Sequence, residues 1–63
     1  MQVFNVSGMT CSHCERAVTR AIQALDPQAQ VRVDLAAGTV QVQSSASEQA
    51  IRQAISEEGY QVS

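Results

Sequence analysis

The spacing of hydrophobic residues alternates repeatedly between two periods within 63 residues, and this alternation constrains the fold of the chain. A period of two is typical of a half-buried strand, and recurrence every three or four residues is typical of an amphipathic helix. Period two covers residues 2–7, 31–35, 40–43 and 60–62, whereas helical spacing covers residues 12–25 and 50–58. Val18, Ile22 and Leu25 lie on the predicted buried face of the first helix.

Two serines predict where the helices begin. Ser12 with Glu15, and Ser45 with Glu48, match the S-x-x-E capping box. In such a box the serine side chain accepts a hydrogen bond from the helix, and the acid returns one to the serine backbone. The first helix is therefore predicted to start beside a pair of cysteines.

Proline and glycine predict where elements end. The first helix is expected to stop at Asp26, because the residue before Pro27 avoids helical geometry. Gly38 lies in a four-residue stretch, 36–39, that suits the turn of a β-hairpin. Gly59 stands where a left-handed residue commonly ends a helix, so the second helix is predicted to run through residue 58.

The resulting order, βαββαβ, predicts an α+β fold. In this ferredoxin-like sandwich, two helices pack on one face of a four-stranded antiparallel sheet. A chain of this length buries only about 60% of its unfolded surface. The core is therefore thin, and we predict a single domain over residues 1–63 without a separate catalytic unit.

Charge and composition exclude several classes of function. Four arginines, no lysine and six acids give a net charge of −2, and only Phe4 and Tyr60 are aromatic. The chain thus offers neither a cationic surface for a phosphate backbone nor platforms for base stacking, and we predict no nucleic-acid binding.

No apolar run approaches the roughly 20 residues of a membrane span, and the N-terminus lacks signal-peptide features. We therefore predict a cytoplasmic protein without membrane insertion.

Cys11 and Cys14 form a C-x-x-C motif at the predicted start of the first helix. Two thiols at this spacing converge on one point, and the positive end of the helix dipole favours their thiolate forms. Thiolates are the forms that bind metal ions or attack disulfides. In a reducing compartment, metal binding or redox chemistry is favoured over a structural disulfide.

The number of ligands discriminates between metals. A closed structural zinc site takes four protein ligands, and the chain has two cysteines and one histidine, His13. Two soft sulfurs suit an ion that accepts two-coordination, foremost Cu(I). Because so few ligands leave the ion accessible, the pattern favours transfer of the metal over its storage.

Residues 8–14, G-M-T-C-S-H-C, resemble the G-M-T-C-x-x-C signature of the heavy-metal-associated domain. The resemblance covers essentially the whole chain, through the βαββαβ order, Pro27 after the first helix, and residues 58–60, E-G-Y, before the last strand. Within the family, the chain is most similar to the small bacterial copper chaperones.

The resemblance implies roles for five residues. Cys11 and Cys14 correspond to the metal ligands. Met9 corresponds to a methionine that packs under the loop without binding metal, and Tyr60 corresponds to a tyrosine that bacterial members keep near the site. His13 stands at a variable position and is an auxiliary candidate that tunes or assists metal binding, especially across a dimer.

The resemblance also implies a function. Family members of this kind carry Cu(I) on the C-x-x-C motif and pass it by thiolate exchange to the homologous metal-binding domain of a copper-exporting P-type ATPase. The expected protein is therefore a metallochaperone and not an enzyme. A homodimer bridged by copper through four cysteines is a further expected state.

Three alternatives remain open from sequence. The chain resembles, as well, a detached N-terminal metal-binding domain of a P-type ATPase. A Zn(II)- or Hg(II)-binding relative is a second alternative, although Thr10 stands where zinc-exporting relatives often place an acid. A thiol-disulfide oxidoreductase is the third; such an enzyme turns over without metal and loses turnover when either Cys11 or Cys14 is replaced.

Overall fold

Six elements of secondary structure form in the predicted order, in a computed structural model that describes all 63 residues. The strands are β1 (Gln2–Ser7), β2 (Gln30–Asp34), β3 (Thr39–Gln43) and β4 (Gln61–Val62), and the helices are α1 (Ser12–Leu25) and α2 (Glu48–Glu57). Neighbouring strands are antiparallel, in the spatial order β2-β3-β1-β4. The predicted ferredoxin-like sandwich is confirmed.

The core lies between the two helices and one face of the sheet. Because strand residues alternate between faces, Phe4 and Val6 of β1 and Val40 and Val42 of β3 point inward and are at most 4% exposed. The helices contribute the remaining fully buried large side chains, Val18, Ile22, Ile51 and Ile55. Apart from Phe4, these interior side chains are aliphatic.

The predicted buried face of α1 is confirmed at Val18 and Ile22 and is wrong at Leu25. Val18 and Ile22 have no exposed surface, whereas Leu25 is 46% exposed. Leu25 occupies the last position of α1 and lies beside Ala50 and Ala54 of α2. The short alanine side chains leave one side of the leucine in solvent.

The first predicted capping box is wrong by one residue. Cys11 is the N-cap of α1, with extended backbone (φ −156°) and no side-chain cap hydrogen bond. Its carbonyl oxygen accepts the N–H groups of Cys14 at 3.0 Å and Glu15 at 3.3 Å, so Ser12 is already helical. A cysteine at the N-cap, where serine is preferred, leaves its thiol available for other contacts.

The second predicted capping box is also displaced, because Ser47 caps α2. The Ser47 Oγ accepts the N–H of Ala50 at 3.2 Å. Ser45 instead donates its N–H to Asp26 Oδ2 at 3.3 Å, and the Ser44 hydroxyl donates to the same oxygen at 2.8 Å. Hydrogen bonds to Asp26 hold the pKa of its carboxyl below the ordinary value, and the bond from Ser44 contributes most. Asp26 thereby ties the end of α1 to the β3–α2 connection.

The predicted ends of the helices agree with the structure to within one residue. Helix α1 stops at Leu25, immediately before the Asp-Pro pair, and α2 stops at Glu57, one residue earlier than predicted. Gly38 and Gly59 have the expected positive φ, 69° and 95°. The last strand contains only Gln61–Val62, so Tyr60 precedes it. Neither helix has the length and apolar character that crossing a membrane requires.

Replacing Ile22 by alanine is expected to cost about 2–5 kcal/mol of unfolding free energy, because a fully buried side chain is removed from a small core. The matched control is Leu25→Ala, which removes an exposed side chain from the same helix. Urea denaturation measures both, and the control is expected to lose less than about 1 kcal/mol. Equal losses in the two variants contradict this description of the core.

Candidate metal site

The C-x-x-C motif lies at the junction between the sheet and the first helix. Strand β1 ends at Ser7 and α1 begins at Ser12, so residues 8–11 form the connecting loop. Cys11 ends this loop and is exposed, whereas Cys14 lies in the first turn of α1 and is half-buried. Their Sγ atoms are 3.9 Å apart and both thiols are free. The structure therefore brings the two predicted ligands together.

Met9 anchors the loop to the interior. Its side chain is 7% exposed and packs in the hydrophobic core with side chains of the sheet and the helices. Thr10 and Cys11, which follow it, are exposed. One buried residue thus holds the base of the loop while the cysteine end stays accessible to solvent.

Tyr60, in the segment between α2 and β4, lies beside the cysteine loop. Tyr60 is half-buried, and its ring lies beside Gly8. A Cβ atom at position 8 would lie 3.4 Å from ring atom Cδ1 of Tyr60. Gly8 has φ +97°, a conformation that L side chains rarely adopt. Both the backbone and the tyrosine ring therefore favour glycine at the start of the loop.

Hydrogen bonding favours the thiolate of Cys14. The pKa of Cys14 is lowered to about 6. The largest cause is the Tyr60 hydroxyl, followed by the backbone N–H of Thr10. Cys11 contributes further to the lowering, and partial desolvation of the thiol opposes it. The reciprocal interaction with Cys14 raises the pKa of Tyr60 to about 12. At neutral pH the tyrosine is therefore protonated, and its hydroxyl favours negative charge on the sulfur.

The peptide N–H groups of the first turn of α1 add to this electrostatic environment. The N–H groups of Ser12 and His13, the first two of the helix, have no backbone partner, and such groups give a helix N-terminus a partial positive charge. Two thiolates with a monovalent ion carry one net negative charge, which such a terminus stabilises. Glu15 in the same turn opposes this effect in part.

His13 does not join the cysteines in a ligand cluster. It is exposed on the first turn of α1, and no group of three or more histidine, cysteine, aspartate or glutamate side chains is placed to hold a metal ion. The soft donor atoms that the structure brings together are therefore the Cys11 and Cys14 sulfurs. An ion held between them would be accessible to ligands from another molecule.

The backbone N–H of Thr10 is a functional group that sequence reasoning missed. It lowers the pKa of Cys14, yet every residue except proline carries the same group. Only the path of the loop determines that this N–H faces the sulfur. No sequence signal for it exists beyond the loop motif itself.

A βαββαβ sandwich with a C-x-x-C motif at the start of its first helix defines a class of small metal-binding domains. Residues 3–61 match the heavy-metal-associated domain, and the chain belongs to that family.

Relatives and solved structures agree with this assignment. A copper chaperone CopZ from Staphylococcus aureus is 39% identical over 64 residues, which cover 97% of this chain and 94% of that protein. The structure of copper chaperone Atx1 from Synechocystis PCC6803 in its Cu2 form matches with a TM-score of 0.97 and 36% identity, over 100% of both chains. A gold-binding protein matches with a TM-score of 0.89 and 35% identity, over 95% of this chain and 92% of that one. The prediction that the chain is not an enzyme is confirmed, because its relatives are chaperones.

Replacing Tyr60 by phenylalanine is expected to raise the pKa of Cys14 from about 6 toward 9.0, because the largest cause of the shift is lost while the ring beside Gly8 is kept. The pH dependence of Cys14 alkylation by iodoacetamide, followed by peptide mass spectrometry, measures this pKa. Ser56→Ala, which removes a hydroxyl from the exposed side of α2, is the control and leaves the midpoint unchanged. An unchanged midpoint in the tyrosine variant contradicts the assigned cause.

Proposed function

We propose that this chain is a copper metallochaperone in which Cys11 and Cys14 bind Cu(I) and release it to a partner protein. The observation that carries the proposal is a pair of free sulfurs 3.9 Å apart at an exposed helix N-terminus, with no third ligand from the chain. A metal–thiolate bond of about 2.3 Å allows one ion to contact both sulfurs with little movement of the loop. Copper is the cargo of this site.

The donor set favours Cu(I) over Zn(II). Two thiolates form a soft, low-coordinate site, which suits Cu(I), whereas zinc in structural sites takes four ligands. The copper chaperones and the gold-binding protein among the similar proteins support a preference for soft metals. The Zn(II)- or Hg(II)-binding alternative is therefore the second choice, and silver is expected to bind where copper does.

Release to a partner follows from the openness of the site. A thiolate of the partner attacks the bound ion, a three-coordinate intermediate forms, and one sulfur of the chain then leaves. A second thiolate of the partner displaces the remaining sulfur of the chain in the same way, which completes the transfer. Each step forms one metal–sulfur bond or breaks one, so the ion is never free in solution. The exposed position of Cys11 suits it to be exchanged first, while half-buried Cys14 retains the ion.

The side chains around the cysteines have supporting roles in this proposal. Tyr60 keeps Cys14 ionised and supplies a hydrogen bond where no lysine is present. Met9 stabilises the loop from the core and does not bind metal, because its side chain is directed into the buried cluster. His13 is exposed and is therefore placed to assist only when a second molecule contributes to the site.

The proposed partner is the metal-binding domain of a copper-exporting P-type ATPase, which would supply the incoming cysteines. A copper-bridged homodimer with four cysteine sulfurs uses the same open site. We place the protein in the cytoplasm, where a reducing environment keeps both thiols free. The chain would act as one domain over residues 1–63; an N-terminal domain of such an ATPase would share this site and is the alternative.

One equivalent of Cu(I), added without oxygen, is expected to raise the melting temperature by about 15 °C or more, because a ligand that binds only the folded state stabilises it. Circular dichroism of the reduced protein measures the transition. Cys11→Ser and Cys14→Ser variants are expected to fold but to lose the rise. Zn(II) at the same concentration is expected to give a smaller rise.

His13→Ala and Ser12→Ala serve as controls within the same segment and are expected to keep the copper-induced rise. A full rise in both cysteine variants contradicts the assignment of the ligands. A larger rise with Zn(II) than with Cu(I) contradicts the choice of metal and moves the function toward a divalent ion.

A further inference from the structure

Strand β2 leaves one side of the sheet without a partner strand. Its five residues contain neither proline nor glycine. The unpaired N–H and C=O groups of such an edge are a template for another strand. Natural proteins often protect an edge with charges that repel a second copy. Here Arg32 and Asp34 are exposed on one face of the strand and have opposite signs, so two copies of this edge do not repel each other.

The inward side of the same strand is incompletely covered. Val31 and Val33 of β2, and Leu35 immediately after it, pack against the core but remain partly exposed. On the neighbouring strands Phe4 and Val40 are 2% and 0% exposed. A strand added beside β2 would therefore cover apolar surface that the chain itself leaves open.

Residues 31–35, V-R-V-D-L, are complementary to themselves. When two antiparallel copies pair with Val33 opposite Val33, Val31 lies opposite Leu35. In the same register Arg32 of each copy lies opposite Asp34 of the other. The apolar pairs then share the core side of the sheet and the charged pairs share its outer side, and opposite charges at such positions stabilise a sheet.

Both charged side chains are available for this pairing. The ion pair of the chain is between Arg52 and Glu48, on α2, so Arg32 and Asp34 have no ionic partner. Asp34 Oδ1 accepts the N–H of Ala37 at 3.0 Å, which holds the carboxylate at the end of the strand with Oδ2 left for a second donor.

We propose that two copies of this chain associate edge to edge through antiparallel β2 strands, centred on Val33, to form a continuous eight-stranded sheet. Strands β1 and β2 run parallel to each other, because each is antiparallel to β3. The cysteine loop follows the end of β1 and therefore lies at the same end of the sheet as the end of β2. Because the two paired β2 strands run in opposite directions, the two cysteine sites lie at opposite ends of the dimer. Association requires no metal and leaves both sites open, so it is independent of the proposed function.

Sedimentation equilibrium of the metal-free protein, with both thiols alkylated to exclude bridging by metal or disulfide, tests the proposal. The average mass is expected to rise from 6.8 kDa toward twice that value between micromolar and millimolar concentrations. Arg32→Asp and Asp34→Arg each place like charges opposite one another and are expected to raise the dissociation constant about tenfold or more. The double variant Arg32→Asp with Asp34→Arg restores both pairs with their signs exchanged and is expected to restore association.

Glu57→Arg is the matched control for Asp34→Arg, since it makes the same change of charge at an exposed position on α2. It is expected to associate as the original chain does. Circular dichroism verifies that each variant is folded. A constant monomer mass at all concentrations, single variants that associate like the original chain, or a double variant that stays monomeric would each overturn the proposal.

Discussion

The N-cap position of Cys11, immediately before helix α1, is the constraint on which the site depends. Because the Cys11 carbonyl accepts the first hydrogen bonds of the helix, Cys14 falls in the first turn and the two sulfurs lie 3.9 Å apart. Met9, buried in the core, fixes the other end of the loop. The exposed cysteine pair is thus held by a buried methionine on one side and a helix N-terminus on the other. Rigid core packing and an accessible site coexist within a few residues.

The same arrangement suits the proposed role of a carrier. A structural metal site would enclose its ion with ligands from the chain, and such closure slows release. Here the chain contributes two sulfurs, and the environment stabilises their negative charge through Tyr60, the Thr10 N–H and the helix terminus. Those groups favour binding of a soft cation without blocking the approach of another thiolate. In the proposed function, binding and release therefore use the same exposed surface.

The sequence predicted much of this structure because hydrophobic period and turn chemistry are local properties. All six elements and the buried positions Phe4, Val18 and Ile22 follow from them. Both capping boxes were wrong, since a matching motif does not show which residue the chain uses as its cap; Asp26 engages Ser45 across the fold. The exposure of Leu25 likewise depends on short side chains of a distant helix. The proximity of Tyr60 to the cysteines came from family resemblance alone.

Transfer between two copies tests the central claim, that the open pair of sulfurs hands copper on by direct exchange. An unlabelled chain loaded with one equivalent of Cu(I) is mixed, without oxygen, with a metal-free ¹⁵N-labelled copy, and the Cys14 amide signal of the acceptor is followed by NMR. Direct exchange predicts a transfer rate that rises in proportion to acceptor concentration and exceeds the rate of loss to a chelator without thiols. A rate that is independent of acceptor concentration and equal to that loss would contradict the account.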